Sequence, residues 1–157
     1  MTEPSRRRID WRDDRGQMGG LEAIPFGVLL FVVGALLVAN AWAVIDTKMA
    51  TASAAREAAR TYVESTQPAQ ARETAEVAAQ QAIAAYGRDP AKLRLDGPND
   101  ASDLARCNRV TFTASYPVPA FTLPWIGGYG DGFTVRATHS EIVDPFREGL
   151  PGEATCA

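Results

Sequence analysis

The sequence has a single histidine, His139, and two cysteines, Cys107 and Cys156. That scarcity removes most metal chemistry, because a structural zinc site takes about four nitrogen or sulfur ligands at close spacing. Excess positive charge is missing as well: 16 Lys and Arg stand against 19 Asp and Glu, a net charge of −3. Phosphate binding needs concentrated Lys and Arg, so no nucleic-acid partner is expected. Arg6, Arg7, Arg8, Arg12 and Arg15 do cluster, but Asp10, Asp13 and Asp14 lie among them. Charge is absent altogether from Ala23 to Ile45, a run bounded by Glu22 and Asp46.

That run is the strongest signal in the chain. A membrane helix needs about 20 apolar residues at 1.5 Å rise, and this one supplies about 35 Å. Gly27 and Gly34 are ordinary in membranes, and Trp42 fits an interface position. Pro25 is expected in the first helical turn, where a missing N–H costs little. Five arginines precede the run, whereas Lys48, Arg56 and Arg60 follow it. The bias sets the N-terminus in the cytoplasm, with one pass through the inner membrane and the C-terminal domain outside. "ANA" at Ala39–Ala41 and "AWA" at Ala41–Ala43 resemble signal-peptidase sites, but the preceding segment is long for a cleaved signal.

Beyond Asp46 the chain stays helical, since alanine is the best helix former. The expected apolar stripe is Met49, Ala52, Ala55, Ala59 and Val63. Gln67–Pro68 reads as a break. A second helix follows, with a stripe of Ala71, Ala75, Ala78, Ala82 and Tyr86 flanked by Val77 and Ile83. Gly87 closes it. The pattern then changes to period two. "KLRL" reads as a short strand, and "RVTFTASY" places Val110, Phe112, Ala114 and Tyr116 on one face. "FTVRATHSEIV" does the same with Phe133, Val135 and Ala137. The Pro/Gly-rich segment between them carries Phe121, Trp125 and Ile126, which are expected to tuck against the sheet rather than meet a partner.

The fold class is therefore α+β: an N-terminal transmembrane helix continuing into alanine-rich helices, then a small antiparallel β-sheet packed on the second helix. The divisions are a leader or tail at 1–20, the membrane helix at 21–45, extracytoplasmic helices at 46–90 and the sheet domain at 91–157. In an oxidising compartment Cys107 and Cys156 would form a disulfide; two free thiols are the alternative.

No catalytic set assembles, and neither enzyme activity nor a cofactor or metal is expected. His139 and Ser140 point to opposite strand faces, so they cannot form a base–nucleophile pair there, and His139 is expected to face solvent. "GGYGDG" at Gly127–Gly132 precedes a strand, not a helix, and reads as a hairpin loop. Asp96, Asn99, Asp100 and Asp103 lack calcium-loop spacing and read as a solvated turn. Arg56 and Arg60 share a helix face, which is read as solvated; lipid headgroups would require the helix to lie down.

"RGQMGGLE" at Arg15–Glu22, "AAREAAR" at Ala54–Arg60 and the late "VTFTASYPV" strand together resemble the TadE-like proteins, minor pilins (pseudopilins) of the tight-adherence, Flp-type pilus system. The resemblance implies a leader removed by a prepilin peptidase after a glycine. The candidate cut lies between Gly16 and Gln17. It also implies partners: membrane lipid, other pilin-like subunits and pilus assembly proteins. Family members carry a Glu at the fifth residue after the cut, whereas Glu22 is the sixth after Gly16. In this setting Glu22 would set subunit register, its carboxylate pairing with a neighbour's new α-ammonium; otherwise it faces headgroups and water. The rival reading is an unprocessed single-pass protein that presents a small binding module to cell-envelope partners.

Overall fold

The computed structural model describes residues 18–99, 101–123, 125–130, 132–153 and 155–156. The chain is α+β, as its periodicities require. It divides into two units, Met1–Ala39 and Asn40–Ala157. Helix α1 runs unbroken from Met18 to Glu64, 47 residues or about 70 Å at 1.5 Å per residue. It begins earlier than expected, so Pro25 lies inside the helix and not in its first turn. A proline there removes one backbone bond, a defect that apolar spanning helices tolerate. In the first unit most of the large side chains from Ile24 to Val38 are exposed, Leu36 being intermediate; Phe31 is 76% accessible.

The second unit is built on a three-stranded antiparallel sheet of order β1-β2-β5, with β1 at Arg94–Asp96, β2 at Arg109–Val118 and β5 at Phe133–Ile142. β2 and β5 pair along their full length, from Arg109↔Ile142 to Val118↔Phe133. Alternation decides the faces. Val110, Phe112, Ala114, Tyr116, Val135 and Ala137 are buried, whereas Thr111 and Thr113 bond Ser140 and Thr138 across the outer face at 2.9 and 3.0 Å. Phe133, at the sheet's end, is half exposed. Strands β3 (Phe121–Leu123) and β4 (Gly127–Tyr129) form a separate two-stranded hairpin. The expected loop at Gly127–Gly132 is thus partly a strand.

Helix α2 spans Ala71–Ala85, after a 3₁₀ turn at Pro68–Gln70 that realises the expected break. Gly87 (φ +69°) ends it: its N–H reaches the Ala84 carbonyl at 2.8 Å, and the Arg88 N–H reaches Ile83 at 3.3 Å. This is the paired bonding of a Schellman turn, which needs a left-handed residue that glycine adopts without strain. The buried residues of α2 are Ala71, Ala75, Ala79 and Ile83; Val77 and Tyr86 are exposed. On α1 the buried stripe is Thr47, Ala50, Thr51, Ala54, Ala55, Ala58, Ala59 and Tyr62, with Met49 exposed. Ala55, Ala59, Ala71 and Ala75 are buried as expected, with Val63 and Ala82 partly buried against the core, whereas Met49 and Tyr86 are exposed. Thr47 and Thr51 can be buried because each hydroxyl donates to the carbonyl four residues back, Ala43 and Thr47, at 2.6 and 2.7 Å. These stripes join Leu104 and the inner face of the sheet in one core.

Candidate functional site

Among the described residues the features that bear on function are the apolar half of α1 and the contacts that hold the second unit together around the later part of α1. From Ala23 onward α1 is long and apolar enough to cross a membrane, and none of its most apolar window is buried. The run ends at Asp46, which Arg88 Nη2 meets at 2.6 Å; the same nitrogen reaches the Ala43 carbonyl at 3.3 Å. The Schellman turn after α2 delivers Arg88 to this position. The next residue, Asp89, donates its N–H to the Tyr116 hydroxyl at 3.1 Å. Lys48, two residues further along α1, donates to the Arg136 carbonyl on β5. Two independent links therefore set the Tyr116–Val135–Arg136 end of the sheet beside Ala43–Lys48.

At the other end, Arg147 donates to the carbonyls of Val63 and Ser65, where α1 stops. A helix leaves its last four carbonyls without partners, and α1 has no basic residue in its last turn, so a cation from the C-terminal tail fills that role. The tail is held in turn. Arg106 Nε donates to the Arg147 carbonyl at 2.9 Å, and its backbone N–H to Pro151 at 2.8 Å. Cys107 and Cys156 form a disulfide, with Cα atoms 5.1 Å apart.

Arg72 joins α2 to the sheet. It pairs with Glu76 at 2.7 Å, donates to the carbonyls of Leu95 and Pro98 at 2.9 and 3.2 Å, and lies 5.7 Å over the Phe112 ring. Phe112 also meets Tyr62 of α1 edge-on, with centroids 5.4 Å apart. Sequence reasoning did not single out Arg72, Arg88 or Arg147. Most of their partners are backbone carbonyls far along the chain, which carry no side-chain signature.

The residues singled out in advance fall as follows. Gly16 and Gln17 lie outside the described residues, as do Asp100 and the side chain of Glu22, whose backbone lies on α1. His139 does not face solvent freely: it sits on the inner face opposite Phe112, half-buried, with Nε2 2.8 Å from Glu141. Ser140 is on the other face, bonded to Thr111. Arg56 and Arg60 are exposed and line an open groove with Glu57, Glu64, Glu141 and Asp144. The hydrogen bond that Arg60 Nε donates to Glu64 at 3.1 Å, then the charges of Glu64 and Glu57, raise Arg60 above its ordinary value. Acidic neighbours thus answer its charge. Among the described residues no group of three His, Cys, Asp or Glu could hold a metal ion.

The hairpin tip overturns an expectation. Trp125 is fully exposed and Ile126 is 67% accessible, so neither is tucked against the sheet. The side chain of Phe121 lies outside the described residues. Trp125 has φ +64°, a left-handed conformation that costs a bulky side chain roughly 1–2 kcal/mol. A tip closed around such a residue holds the indole away from the strands. No family model, curated protein or solved structure matches the chain.

Proposed function

We propose that the chain is a membrane-anchored, pilin-like minor subunit of a tight-adherence pilus, acting in assembly by helix packing within the inner membrane. One observation carries this reading: the apolar run and part of the core of a small α+β unit belong to the same helix, α1. A subunit that assembles by helix packing needs such an element, apolar at one end and built into the folded unit at the other. The resemblance at Arg15–Glu22 and Ala54–Arg60 adds to it, and the arginine-rich leader favours an N-terminus inside.

The second reading, an unprocessed single-pass protein presenting a binding module, is favoured by the position of Glu22 one residue beyond the family's. Intact mass of the membrane-extracted chain separates the two. Loss of Met1 to Gly16 is expected of the subunit, and an untrimmed chain supports the second reading. Loss through Ala41 or Ala43 would make it a secreted protein and overturn both. In a processed chain, Glu22→Gln should impair assembly while leaving membrane insertion unchanged.

A further inference from the structure

We propose that the β3–β4 hairpin is a second membrane contact, placing Trp125 and Ile126 in the lipid interface beside the point where α1 leaves the bilayer. The inference rests on the reading of α1 as the anchor.

Three observations carry it. The first is position. The Arg88–Asp46 pair, the Asp89–Tyr116 bond and the Lys48–Arg136 bond set one end of the sheet beside Ala43–Lys48. At the opposite end Arg147 joins Val63 and Ser65. Strand β5 therefore runs alongside α1 in the same direction. The hairpin connects Val118 to Phe133, the last pair of the β2–β5 ladder at the end nearer the apolar run. Trp42, exposed on α1 next to Ala43, marks the expected interface level.

The second observation is composition. From Val110 to Gly130 the sequence has no charged residue. In the connection from Val118 to Phe133 the one charged residue, Asp131, follows β4, so the two strands and their tip can enter the headgroup boundary without desolvating an ion, which is the dominant cost of burial there. The facing backbone groups pair within the hairpin, from Phe121↔Tyr129 to Leu123↔Gly127, and the Ile126 N–H reaches Leu123 at 3.3 Å. Its outward groups can meet water and headgroups at interface depth, where the full pairing that hydrocarbon demands is not required.

The third is presentation. Trp125, Ile126 and Tyr129 are exposed at 103%, 67% and 51%. The left-handed backbone at Trp125 holds a large amphipathic ring clear of the fold, and observed strain of this kind points to a functional constraint. Trp and Tyr are the residues that settle at headgroup level. A protein partner elsewhere on the unit would not require the tip to stand at the end where the anchor emerges.

Single-tryptophan versions of the full chain test this in vesicles of phosphatidylethanolamine and phosphatidylglycerol with brominated acyl chains. One version keeps Trp125 (Trp11→Phe, Trp42→Phe); the other keeps Trp42 (Trp11→Phe, Trp125→Phe). Trp42 and Trp125 are both exposed, so phenylalanine at either removes no core packing. The expected result is that both emissions are quenched by the bromolipid, and that Trp125 is shielded from acrylamide relative to its state in detergent-free denaturant. Quenching of Trp42 alone, with Trp125 open to acrylamide, overturns the second contact and leaves the anchor standing. Trp125 shielded from acrylamide but untouched by bromolipid overturns it in favour of a neighbouring protein surface. Absence of quenching at both positions overturns the anchor and the hairpin contact together.

Discussion

At the scale of single residues, arginines hold the second unit together by donating to carbonyls far along the chain. Arg72 is the clearest case, since one guanidinium serves Glu76, Leu95 and Pro98 and covers Phe112. Removing it takes this donor from one strand carbonyl, Leu95, and one loop carbonyl, Pro98, and uncovers an aromatic ring. Hydrogen bonds involving a charged group contribute about 1.5–3 kcal/mol each at most, and they are not additive within one side chain. Arg72→Ala should therefore destabilise the unit by about 2–3 kcal/mol, read as a lower urea midpoint of the detergent-solubilised chain with an unchanged slope. Arg72→Lys should recover only part of this, because an ammonium cannot fork across separate carbonyls. Equal stability of Arg72→Ala and the parent would show that the loop at Leu95–Pro98 finds other donors. None of this was legible beforehand. An arginine on an alanine-rich helix looks like any solvated charge until its distant carbonyls are known.

At the scale of elements, the strands of the three-stranded sheet were legible, the short β3 and β4 were not, and the helices were only in part. Strict alternation in "RVTFTASY" allows one buried set, and Val110, Phe112, Ala114 and Tyr116 are that set. A helix made mostly of alanine gives no such contrast. Its burial stripe was read through Met49 and Ala52, but the core takes Thr47, Ala50, Thr51 and Ala54, because back-bonded threonine hydroxyls can be hidden and a flexible methionine can be left outside. The hairpin tip was misread for a related reason: hydrophobicity predicts burial, and it cannot tell a core from a surface that meets lipid. The corrected stripe has a consequence. Ala54, Ala55, Ala58 and Ala59 have no accessible surface, so the core is packed against their methyl groups. Adding methylenes at a filled position costs about 1–3 kcal/mol through displaced neighbours. Ala58→Leu should destabilise the unit by that amount, read as a lower denaturation midpoint, whereas Met49→Leu, at an exposed position on the same helix, should leave the midpoint nearly unchanged. The stripe is wrong if both substitutions are equally silent.

At the scale of the whole molecule, the far end of α1, the sheet and the C-terminal tail form one circuit. The tail's Arg147 serves the carbonyls at the end of α1, and Arg106 and the Cys107–Cys156 bridge hold that tail on the sheet side. The bridge closes a segment with a sequence separation of 49. In the chain-entropy account a loop of that size destabilises the unfolded state by about 4 kcal/mol, so reduction should cost the unit an amount of that order. The loss should also be uneven. The β2–β5 ladder is paired along ten residues of each strand and does not depend on the bridge. The tail beyond Val143 is held mainly by side chains and a few backbone bonds, among them Cys107 N–H to Val143 and Arg106 N–H to Pro151. Hydrogen exchange after reduction should therefore accelerate first at Arg106 and Cys107, and at the amides near Arg147, while Phe112 and Ala114 stay protected. Arg147→Ala with the bridge intact should loosen the last turn of α1 without exposing Arg106. If reduction leaves the midpoint and the exchange at Arg106 and Cys107 unchanged, the bridge adds nothing to the circuit, and the side chains of Arg106 and Arg147 hold the tail alone.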